Sequence, residues 1–403
     1  MNLASKPFYR AGTLGEGGYG SVMKLFDDDG GMFAGKIFST DSENSTPHTD
    51  SYSSSCTDSE TPTLGLETGV LREMAFFASQ KTMGLSHPNI LSAECVTQIN
   101  GEICVVLPHM ERSLEDVITK AQWLSNADRL SVIKQVLCGL SHMHANGFMH
   151  RDVKSANILL DSQNNAYLAD FSLVKPVNIS CSSPTSKGGA KGANHTRGCG
   201  TPTYTAPEVV SGSDYGTKAD SWSVGVLMLE LFNKSEITSK NDKNAFKDLE
   251  VIREKLSRVK VVPVTIAGLL DPSPESRLSC AEALQKLNNA KDLQPQQVSG
   301  CKIVLPESTT PKKAKKEPMV KKAFNQLGCV SPHTMYAAER IQELTGAHPS
   351  HCVFLAHKLY ELELIDGWAL NDVMDGFDEN AYPQSELDML GALQFNLYGI
   401  CCK

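Results

Sequence analysis

An eleven-residue stretch, His150–Leu160, restricts what this chain can be more than any other part of the sequence. It places Asp152 ahead of Lys154 and Asn157, and a short apolar run follows. Phosphoryl transfer needs such a set: a carboxylate to take a hydroxyl proton, a cation near the moving phosphate and an oxygen for a metal ion. A charged surface loop could contain the same residues, so the interpretation depends on the rest of the chain.

Composition narrows the class of protein. The 403 residues allow two or three domains, and 41% hydrophobic with 21% charged residues is typical of a soluble globular protein. No apolar run is long enough for a membrane span, residues 1–10 lack a signal-peptide pattern, and the twelve cysteines form no Cys-x-x-Cys pair. The net charge of −8 argues against a dedicated nucleic-acid binder. We expect an intracellular protein of the cytoplasm, the nucleus or both, without a membrane or nucleic-acid partner.

A glycine-rich segment near the N-terminus adds a phosphate-binding candidate. Residues 15–20 read Gly-Glu-Gly-Gly-Tyr-Gly and lie in a predicted β-hairpin. The pattern Gly-x-Gly-x-x-Gly also occurs in dinucleotide-binding folds, but there the glycines open a helix. In a hairpin, glycines let backbone N–H groups close over phosphates. Lys36 follows in the next predicted strand and could hold these phosphates, although an exposed strand lysine is the simpler alternative.

Three segments have the apolar spacing of regular elements: a helix at 66–81, a strand at 102–107 and a helix at 130–144. The first helix carries Glu73, and the strand leads to Pro108-His109-Met110. Asp170 opens the tripeptide Asp-Phe-Ser, a short distance after the His150–Leu160 stretch.

In this order, the motifs resemble those of protein kinases over residues 8–290. The resemblance implies an α+β fold of two lobes, with a β-rich N-terminal lobe (8–110) and a helical C-terminal lobe (111–290). It implies ATP and Mg²⁺ as cofactors and protein substrates with Ser or Thr acceptors. Matching positions imply that Asp152 deprotonates the substrate hydroxyl, Lys154 steadies the γ-phosphate, Lys36 and Glu73 position ATP, and Asn157 and Asp170 hold the metal ion.

The same resemblance implies which residues contact ATP: Leu14, Gly15, Gly17, Gly20, Val22, Ala34, Lys36, Pro108, Met110 and Leu159. Lys154 and Thr201 favour Ser/Thr over Tyr substrates. Ser172 stands where the family usually has glycine, which questions the switching of that turn more than its metal binding.

Further positions imply structural contacts and control. Glu208 is expected to form a buried ion pair with Arg277, and Asp220 to bond to the backbone of the catalytic loop, as we name His150–Leu160. Arg151 would pair with a phosphate on Thr196, unless Thr196 is only one loop hydroxyl among several.

The glycine loop also resembles that of the cyclin-dependent kinases, which implies inhibitory phosphorylation at Tyr19. Those kinases carry an arginine just before Ala-Pro-Glu, where this chain has Thr205, so proline-directed specificity is doubtful.

Two segments look irregular. Residues 39–68 are rich in Ser, Thr, Asp and Glu and are predicted to form a disordered insertion, either a multi-site phosphorylation region or a tolerated surface insertion. Residues 291–320 are a linker with the basic run Pro311–Lys316, either a nuclear import signal or a solvated charged segment.

The C-terminal part, residues 321–400, is predicted to be a small all-α module. Its apolar stripes include Met335, Ala338, Ile341 and Leu344; Cys352, Leu355, Leu359 and Leu362; and Leu387, Leu390, Leu393 and Leu397. Residues 353–361 and 382–397 resemble the first half of a cyclin box, in which Lys358 and Glu386 match the pair that grips the kinase helix. A generic helical domain with a charged face is the alternative.

The sequence thus predicts an ATP- and Mg²⁺-dependent Ser/Thr protein kinase with a fused cyclin-like module. This module would dock on the helix that carries Glu73, within the chain or between two copies, and hold Glu73 against Lys36. A pseudokinase scaffold is the main rival, and a module that recruits substrates without activating the kinase is a third hypothesis.

Overall fold

The computed structural model of the chain describes residues 7–17, 20–38, 66–100, 102–177, 201–213, 215–233, 259, 263–289, 332–360 and 381–393. Several predicted features lie outside these ranges: Tyr19, Thr196, most of the Ser/Thr-rich insertion and the basic linker. Within the described ranges, no helix combines the length and the apolar character needed to cross a bilayer.

The first lobe contains an antiparallel five-stranded sheet. Its strands are β1 (Tyr9–Gly17), β2 (Gly20–Phe26), β3 (Met32–Phe38), β4 (Cys95–Ile99) and β5 (Glu102–Pro108), arranged in the order β1-β2-β3-β5-β4. The predicted glycine hairpin is β1 and β2, with Gly17 opposite Gly20. Asp27 shapes the next turn, because its carboxylate accepts hydrogen bonds from the backbone N–H groups of Asp29 and Gly31.

Helix α1 (Thr68–Thr82) is enclosed on every side. The five consecutive residues Met74–Ala78 are each at most 3% exposed. Because an α-helix turns once in 3.6 residues, five consecutive positions point in all directions around its axis. Phe76 packs against Phe148 and Phe171 of the second lobe, and a helix from the C-terminal part of the chain also contacts α1. This helix is therefore a core element shared by several parts of the chain.

The predicted end of the acidic insertion was wrong. The sequence placed it at residue 68, but Leu66 is only 4% exposed and helix α1 already begins at Thr68. The physical reason is that the Leu66 side chain joins the hydrophobic core, and its backbone N–H donates to Glu386 at 2.7 Å. The segment that leads into α1 is thus held by a contact that local composition does not reveal.

The second lobe is mainly helical. Its elements are β6 (Arg112–Ser113), α2 (Leu114–Thr119), α3 (Asn126–Ala145), β7 (Phe148–Met149), β8 (Ile158–Leu160), β9 (Ala166–Leu168), β10 (Lys175–Pro176), α4 (Pro207–Ser211), α5 (Lys218–Asn233), α6 (Pro263–Leu269) and α7 (Cys280–Asn289). Ser113 and Ser125 cap α2 and α3 by accepting a backbone hydrogen bond from the residue three positions on. Helices α1 and α3 and strand β5 lie where the sequence predicted them.

Three helices form the described C-terminal part: α8 (Pro332–Thr345), α9 (Pro349–Tyr360) and α10 (Tyr382–Ala392). They pack against one another, and α9 also packs against α1. The predicted stripe was wrong at Leu344, which is 51% exposed. This residue lies in the last turn of α8, beyond the buried Ile341, and the chain turns away at Gly346 with φ +67°. Leu362 and Leu397 lie outside the described residues.

A buried ion pair fastens α4 to the segment before α7. The Arg277 guanidinium donates to both carboxylate oxygens of Glu208, at 2.6 and 2.8 Å. It also donates to the backbone carbonyls of Asp271 and Lys218, and it lies 5.1 Å from the ring centre of Trp222. Such a two-pronged pair fixes geometry as well as charge, since both partners are held in one plane.

We expect Arg277→Met to lower the free energy of unfolding by about 3–5 kcal/mol, because it leaves the Glu208 carboxylate buried without its cation. Urea denaturation followed by tryptophan fluorescence measures the change. The double variant Glu208→Gln/Arg277→Met is the control and should recover part of the loss, since no unpaired charge remains. A single variant as stable as the wild type would contradict this account.

Candidate active site

An ion pair joins the sheet of the first lobe to α1. Lys36 on β3 donates from Nζ to Glu73 Oε2 at 2.5 Å, and the same Nζ lies 3.5 Å from Asp170 Oδ1. Burial opposes the charge on Lys36, but the two carboxylates outweigh it and hold its pKa above the ordinary value. The structure thus places Lys36 beside Glu73, the partner that the sequence predicted for it, and also brings Asp170 to the same lysine.

Asp220 of α5 anchors the backbone of the catalytic loop. Its carboxylate accepts hydrogen bonds from the backbone N–H groups of His150 at 2.9 Å and Arg151 at 2.8 Å. His144 of α3 lies 2.8 Å from the same carboxylate through Nε2. Arg151 has φ +67°, an uncommon conformation for a residue with a side chain, and these bonds hold it there. The anchor fixes the backbone just before Asp152.

Four donors orient the Asp152 carboxylate. Lys154 Nζ at 2.8 Å and Asn157 Nδ2 at 2.9 Å reach Oδ2, while the backbone N–H and the hydroxyl of Thr201 reach Oδ1 at 3.3 and 3.1 Å. Asp152 is buried within this network. Its side chain is therefore held in one orientation between the catalytic loop and the segment around Thr201 that leads into α4, where it can act as a base for a substrate hydroxyl.

Asn157 and Asp170 have the chemistry of magnesium ligands. Asn157 uses its amide nitrogen on Asp152, and no described group donates to its Oδ1. Asp170 keeps 34% of its side chain exposed. Burial opposes its ionisation, but Lys36 and a side-chain hydrogen bond from Ser172 hold the pKa of Asp170 below the ordinary value. Carboxylate and amide oxygens are the hard ligands that Mg²⁺ prefers, and nucleotide phosphates usually complete such a site.

The described residues contain no group of three or more His, Cys, Asp or Glu that could hold a metal ion by themselves. The pair of Asn157 and Asp170 therefore fits a metal bound jointly with phosphates rather than a closed protein cage.

The predicted adenine-contacting residues have the partial exposure of cleft walls. Leu14 is exposed, and Val22, Ala34, Pro108, Met110 and Leu159 are all half-buried, while the neighbouring strand residues of β5 are buried. Ala34, Met110 and Leu159 also pack against the main hydrophobic core. This arrangement supports a cleft that is apolar at its walls and open to solvent.

Space explains the glycine at residue 20 of the hairpin but not the glycine at residue 15. A Cβ on Gly20 would lie 2.0 Å from the carbonyl oxygen of Ile37, and its φ is +144°, so only glycine fits. A Cβ on Gly15 would meet nothing within 4 Å, which leaves open space at the hairpin. Gly17 pairs with Gly20 across the two strands, and Tyr19 lies outside the described residues.

The segment that leads into α4 packs on the catalytic loop through Tyr204. Its hydroxyl donates to Glu230 at 2.5 Å and lies 3.0 Å from the Ser155 hydroxyl. Burial and the Glu230 carboxylate raise the pKa of Tyr204 well above the ordinary value. Arg151 donates from Nε to the carbonyl of Leu173 at 2.7 Å. Its predicted phosphate partner, Thr196, lies outside the described residues.

The C-terminal helices reach the start of α1 through Glu386. Its Oε2 accepts the backbone N–H of Leu66 at 2.7 Å, and its Oε1 accepts from Lys358 Nζ and the Tyr382 hydroxyl, both at 2.7 Å. Burial lowers the pKa of Lys358, and the Glu386 carboxylate offsets part of that effect. Of the two residues predicted to grip the kinase helix, Glu386 contacts Leu66, two residues before α1 begins, and Lys358 bonds to Glu386.

Sequence reasoning missed several groups of the site. It did not single out His144, Tyr204, Tyr215 or Glu230. In the structure His144 contacts Asp220, Tyr215 contacts Arg151, and Tyr204 contacts both Ser155 and Glu230. A histidine among the apolar residues of α3 was the one available signal, because a buried imidazole needs a partner.

Comparison with known proteins agrees with the resemblance to protein kinases that the motifs indicated. Residues 8–287 match the family described as "Protein kinase domain". The chain is 37% identical over 147 residues to the serine/threonine-protein kinase MST20 of Pyricularia oryzae, which covers 36% of this chain and 15% of that protein. It is 31% identical over 221 residues to the NUAK family SNF1-like kinase 2 of Rattus norvegicus, covering 54% and 29% respectively.

A third relative is the SNF1-related protein kinase catalytic subunit alpha KIN12 of Arabidopsis thaliana, 31% identical over 228 residues, or 56% of this chain and 39% of that protein. The chain therefore spans less than two fifths of the length of these three relatives. None of their names refers to a cyclin-dependent kinase, so that finer resemblance stays a prediction. Helices α8–α10 lie beyond residue 287, where the family match ends.

The His144–Asp220 contact predicts a pH effect on stability. Burial lowers the pKa of His144, but hydrogen bonds to Asp220 and Cys280 outweigh it and raise the pKa to about 10. Because the folded value lies above the unfolded value, the stabilisation is complete below about pH 6.5 and is lost as pH rises toward 10. We expect the stability advantage of the wild type over His144→Gln to shrink between pH 7 and pH 10.

Urea midpoints of both proteins at several pH values measure this effect. His142→Gln is the matched control. His142 lies on the same helix, its ring contacts the Gly84 carbonyl and stacks on His87, and it has no carboxylate partner among the described groups. A wild-type advantage that stays constant or grows with pH would show that His144 is not held as a cation.

Proposed function

This chain belongs to the protein kinase family, and we propose that it transfers the γ-phosphoryl group of ATP to Ser or Thr hydroxyls of protein substrates. The observation that carries the proposal is the Asp152 network. Lys154, Asn157 and Thr201 hold this carboxylate in place, and the joined Lys36, Glu73 and Asp170 supply the phosphate- and metal-binding groups.

Each group has a definite task in such a transfer. Asp152 orients the acceptor hydroxyl and takes its proton, and Lys154 beside it neutralises charge that develops on the transferred phosphoryl group. Lys36 holds the nucleotide phosphates, and Glu73 keeps the lysine from turning away. Asn157 and Asp170 would hold Mg²⁺, which when bound neutralises phosphate charge.

Lys154 and Thr201 support Ser/Thr specificity, because both donate to the same carboxylate and so shape the place of the acceptor hydroxyl. The three relatives also carry names that point to Ser/Thr or SNF1-type kinases. Thr205 donates to the carbonyl of Thr201 at 2.9 Å, so its side chain braces this segment where cyclin-dependent kinases have arginine.

Control by phosphate at Tyr19 or Thr196 is part of the proposal and rests on sequence alone.

We further propose that helices α8–α10 activate the kinase in the manner of a cyclin. Glu73 meets Lys36 only while α1 stays against the sheet. Helix α9 packs against α1, and Glu386 of α10 binds the backbone just before α1 begins. The Glu67 side chain makes no cap hydrogen bond to α1, and Glu386 satisfies the backbone N–H of Leu66, in the segment that leads into the helix.

The activation proposal needs two positions of α1, since a ligand shifts an equilibrium only through a difference in affinity. The docked helices stabilise the position in which α1 is enclosed and the Lys36–Glu73 pair is formed. Without them, the apolar residues on the outer side of α1 meet water, and the helix is free to move away from Lys36. A module that only recruits substrates would leave this equilibrium unchanged.

For the catalytic proposal, we expect Asp152→Asn to lower phosphate incorporation by about 10²- to 10⁴-fold. The reason is that the asparagine side chain cannot take the proton from the Ser or Thr hydroxyl of the substrate. Incorporation from radiolabelled ATP into dephosphorylated casein and into the chain itself measures the change. Asp388→Asn is the control, since Asp388 is an exposed carboxylate on α10 that bonds to Gln384. Incorporation unaffected by Asp152→Asn would end the assignment and favour a pseudokinase scaffold.

For the activation proposal, we expect Glu386→Gln in the full chain to lower the initial rate roughly tenfold. Hydrogen bonds to a charged group stabilise by about 1.5–3 kcal/mol, and the variant also leaves Lys358 buried without its anion. The initial rate at saturating ATP is the measurement.

Glu343→Gln is the matched control for this variant, because Glu343 is a half-exposed carboxylate of the same helices that pairs with Arg340 on α8. Equal rates for wild type, Glu386→Gln and Glu343→Gln would sink the activation proposal and leave the catalytic one intact.

A further inference from the structure

A buried contact between two hydroxyl groups joins the catalytic loop to the turn 201–204. Ser155 Oγ lies 3.0 Å from the Tyr204 hydroxyl, and the Ser155 backbone N–H donates to the same oxygen at 3.4 Å. Both residues are buried, so little water competes for these groups. A hydrogen bond that is shielded in this way is electrostatically stronger than the same bond in water.

The direction of the bond between the two hydroxyls follows from the number of protons available. A tyrosine hydroxyl has one proton, and that of Tyr204 goes to Glu230 Oε2 at 2.5 Å, because an ionised carboxylate can only accept. The proton between Ser155 and Tyr204 must then come from the Ser155 hydroxyl. The Tyr204 oxygen accepts from the hydroxyl and the N–H of Ser155, which uses both of its lone pairs.

On the side of the catalytic loop, the contact lies between two donors of the Asp152 network. Ser155 directly follows Lys154 and begins a single 3₁₀ turn that ends at Asn157. Lys154 and Asn157 both reach Asp152 Oδ2. A bond at Ser155 therefore fixes the backbone that connects these two donors.

On the opposite side, the contact lies in the turn that carries the remaining donor. The Tyr204 backbone N–H donates to the Thr201 carbonyl at 2.9 Å, which closes the turn 201–204. The hydroxyl and the backbone N–H of Thr201 both donate to Asp152 Oδ1. Ser223 of α5 donates to the Tyr204 carbonyl at 2.8 Å, so this tyrosine is also attached to the second lobe.

The turn is thus attached to the catalytic loop at two points. Thr201 meets Asp152, and Tyr204 meets Ser155, three residues further along each segment. A single attachment would let the turn pivot, whereas two attachments fix its orientation. The bonds from Thr201 to Asp152 are 3.1 and 3.3 Å long, at the long end of the usual range, so a small rotation of the turn would break them.

We propose that Ser155 is a positioning residue, whose bond to Tyr204 keeps the turn 201–204 aligned so that Thr201 donates to the Asp152 carboxylate. The inference rests on the proposed function, since it takes Asp152 as the base for the acceptor hydroxyl. Ser155 itself touches none of the reacting groups and acts through Thr201. Removal of its hydroxyl therefore has an effect only while Thr201 is able to respond.

Hydrogen exchange tests the alignment without nucleotide or turnover. Wild type, Ser155→Ala and Tyr204→Phe are compared as full chains, and mass spectrometry reads the amides of residues 201–206. We expect Ser155→Ala to raise the exchange rate of this segment about 2- to 10-fold, because it removes one neutral hydrogen bond. Tyr204→Phe should raise it at least as much, since the shared hydroxyl is lost.

Ser141→Ala is the matched control for the exchange measurement. Ser141 is also a buried serine, and its hydroxyl donates to the Leu137 carbonyl of its own helix. This variant should leave the exchange of residues 201–206 unchanged. Exchange in Ser155→Ala equal to that of the wild type overturns the inference.

A double-mutant cycle asks whether Ser155 acts through Thr201. The kcat for casein phosphorylation is measured for wild type, Ser155→Ala, Thr201→Ala and the double variant. We expect Ser155→Ala to lower kcat about 2- to 10-fold with an unchanged KM for ATP, and to lower it less than about twofold once residue 201 is alanine. Equal factors in both backgrounds would show a merely structural role and overturn the inference.

Failure of this inference is distinguishable from failure of the proposed function. If Asp152→Asn abolishes incorporation while the two factors of the cycle are equal, the kinase assignment stands and only the role of Ser155 is wrong. If Asp152→Asn has no effect, the kinase assignment fails. The exchange rates still decide in that case whether Ser155 aligns the turn.

Discussion

The 2.5 Å ion pair between Lys36 and Glu73 joins strand β3 to helix α1. These two elements have to stay close together for the candidate active site to form. Both charges are largely withdrawn from water, and such a pair is favourable only when its geometry is held by the surroundings. The sheet fixes Lys36 through β3, but Glu73 depends on α1, a helix connected to its neighbours by long segments. Everything that packs on α1 therefore acts on the nucleotide site, and the chain surrounds this helix completely.

The rest of the site is supported in a different way. Asp220 holds the backbone of the catalytic loop, and the Arg277–Glu208 pair ties α4 into the second lobe. These contacts join helices that share one buried core, so they provide a rigid base for Asp152 rather than a movable one. The contrast suggests a division of labour, in which the helical lobe supplies fixed chemistry and α1 supplies the adjustable part.

Local patterns predicted the parts of this structure that depend on local physics. The glycine hairpin, α1, α3 and β5 follow from turn residues and apolar spacing. The catalytic loop could be predicted because its functional groups are close together in the sequence. The bond from Leu66 to Glu386 joins residues 320 positions apart, and no periodicity encodes it. Long-range contacts also explain the misplaced end of the insertion, the exposed Leu344 and the missed His144. In each case the outcome depends on whether a part of the chain that is distant in sequence packs against the residue. The roles of Tyr19 and Thr196 stay predictions.

The attachment of α8–α10 to the same polypeptide as α1 has a thermodynamic consequence. Docking between them is intramolecular, so the fraction docked does not depend on how much protein is present. A tethered partner typically experiences an effective concentration on the order of millimolar, which a free competitor in solution would have to match before displacing it. A separately encoded partner is titrated by synthesis and degradation. A helix held by its own chain is instead insensitive to dilution, and its occupancy is altered only by changing the strength of the contact itself.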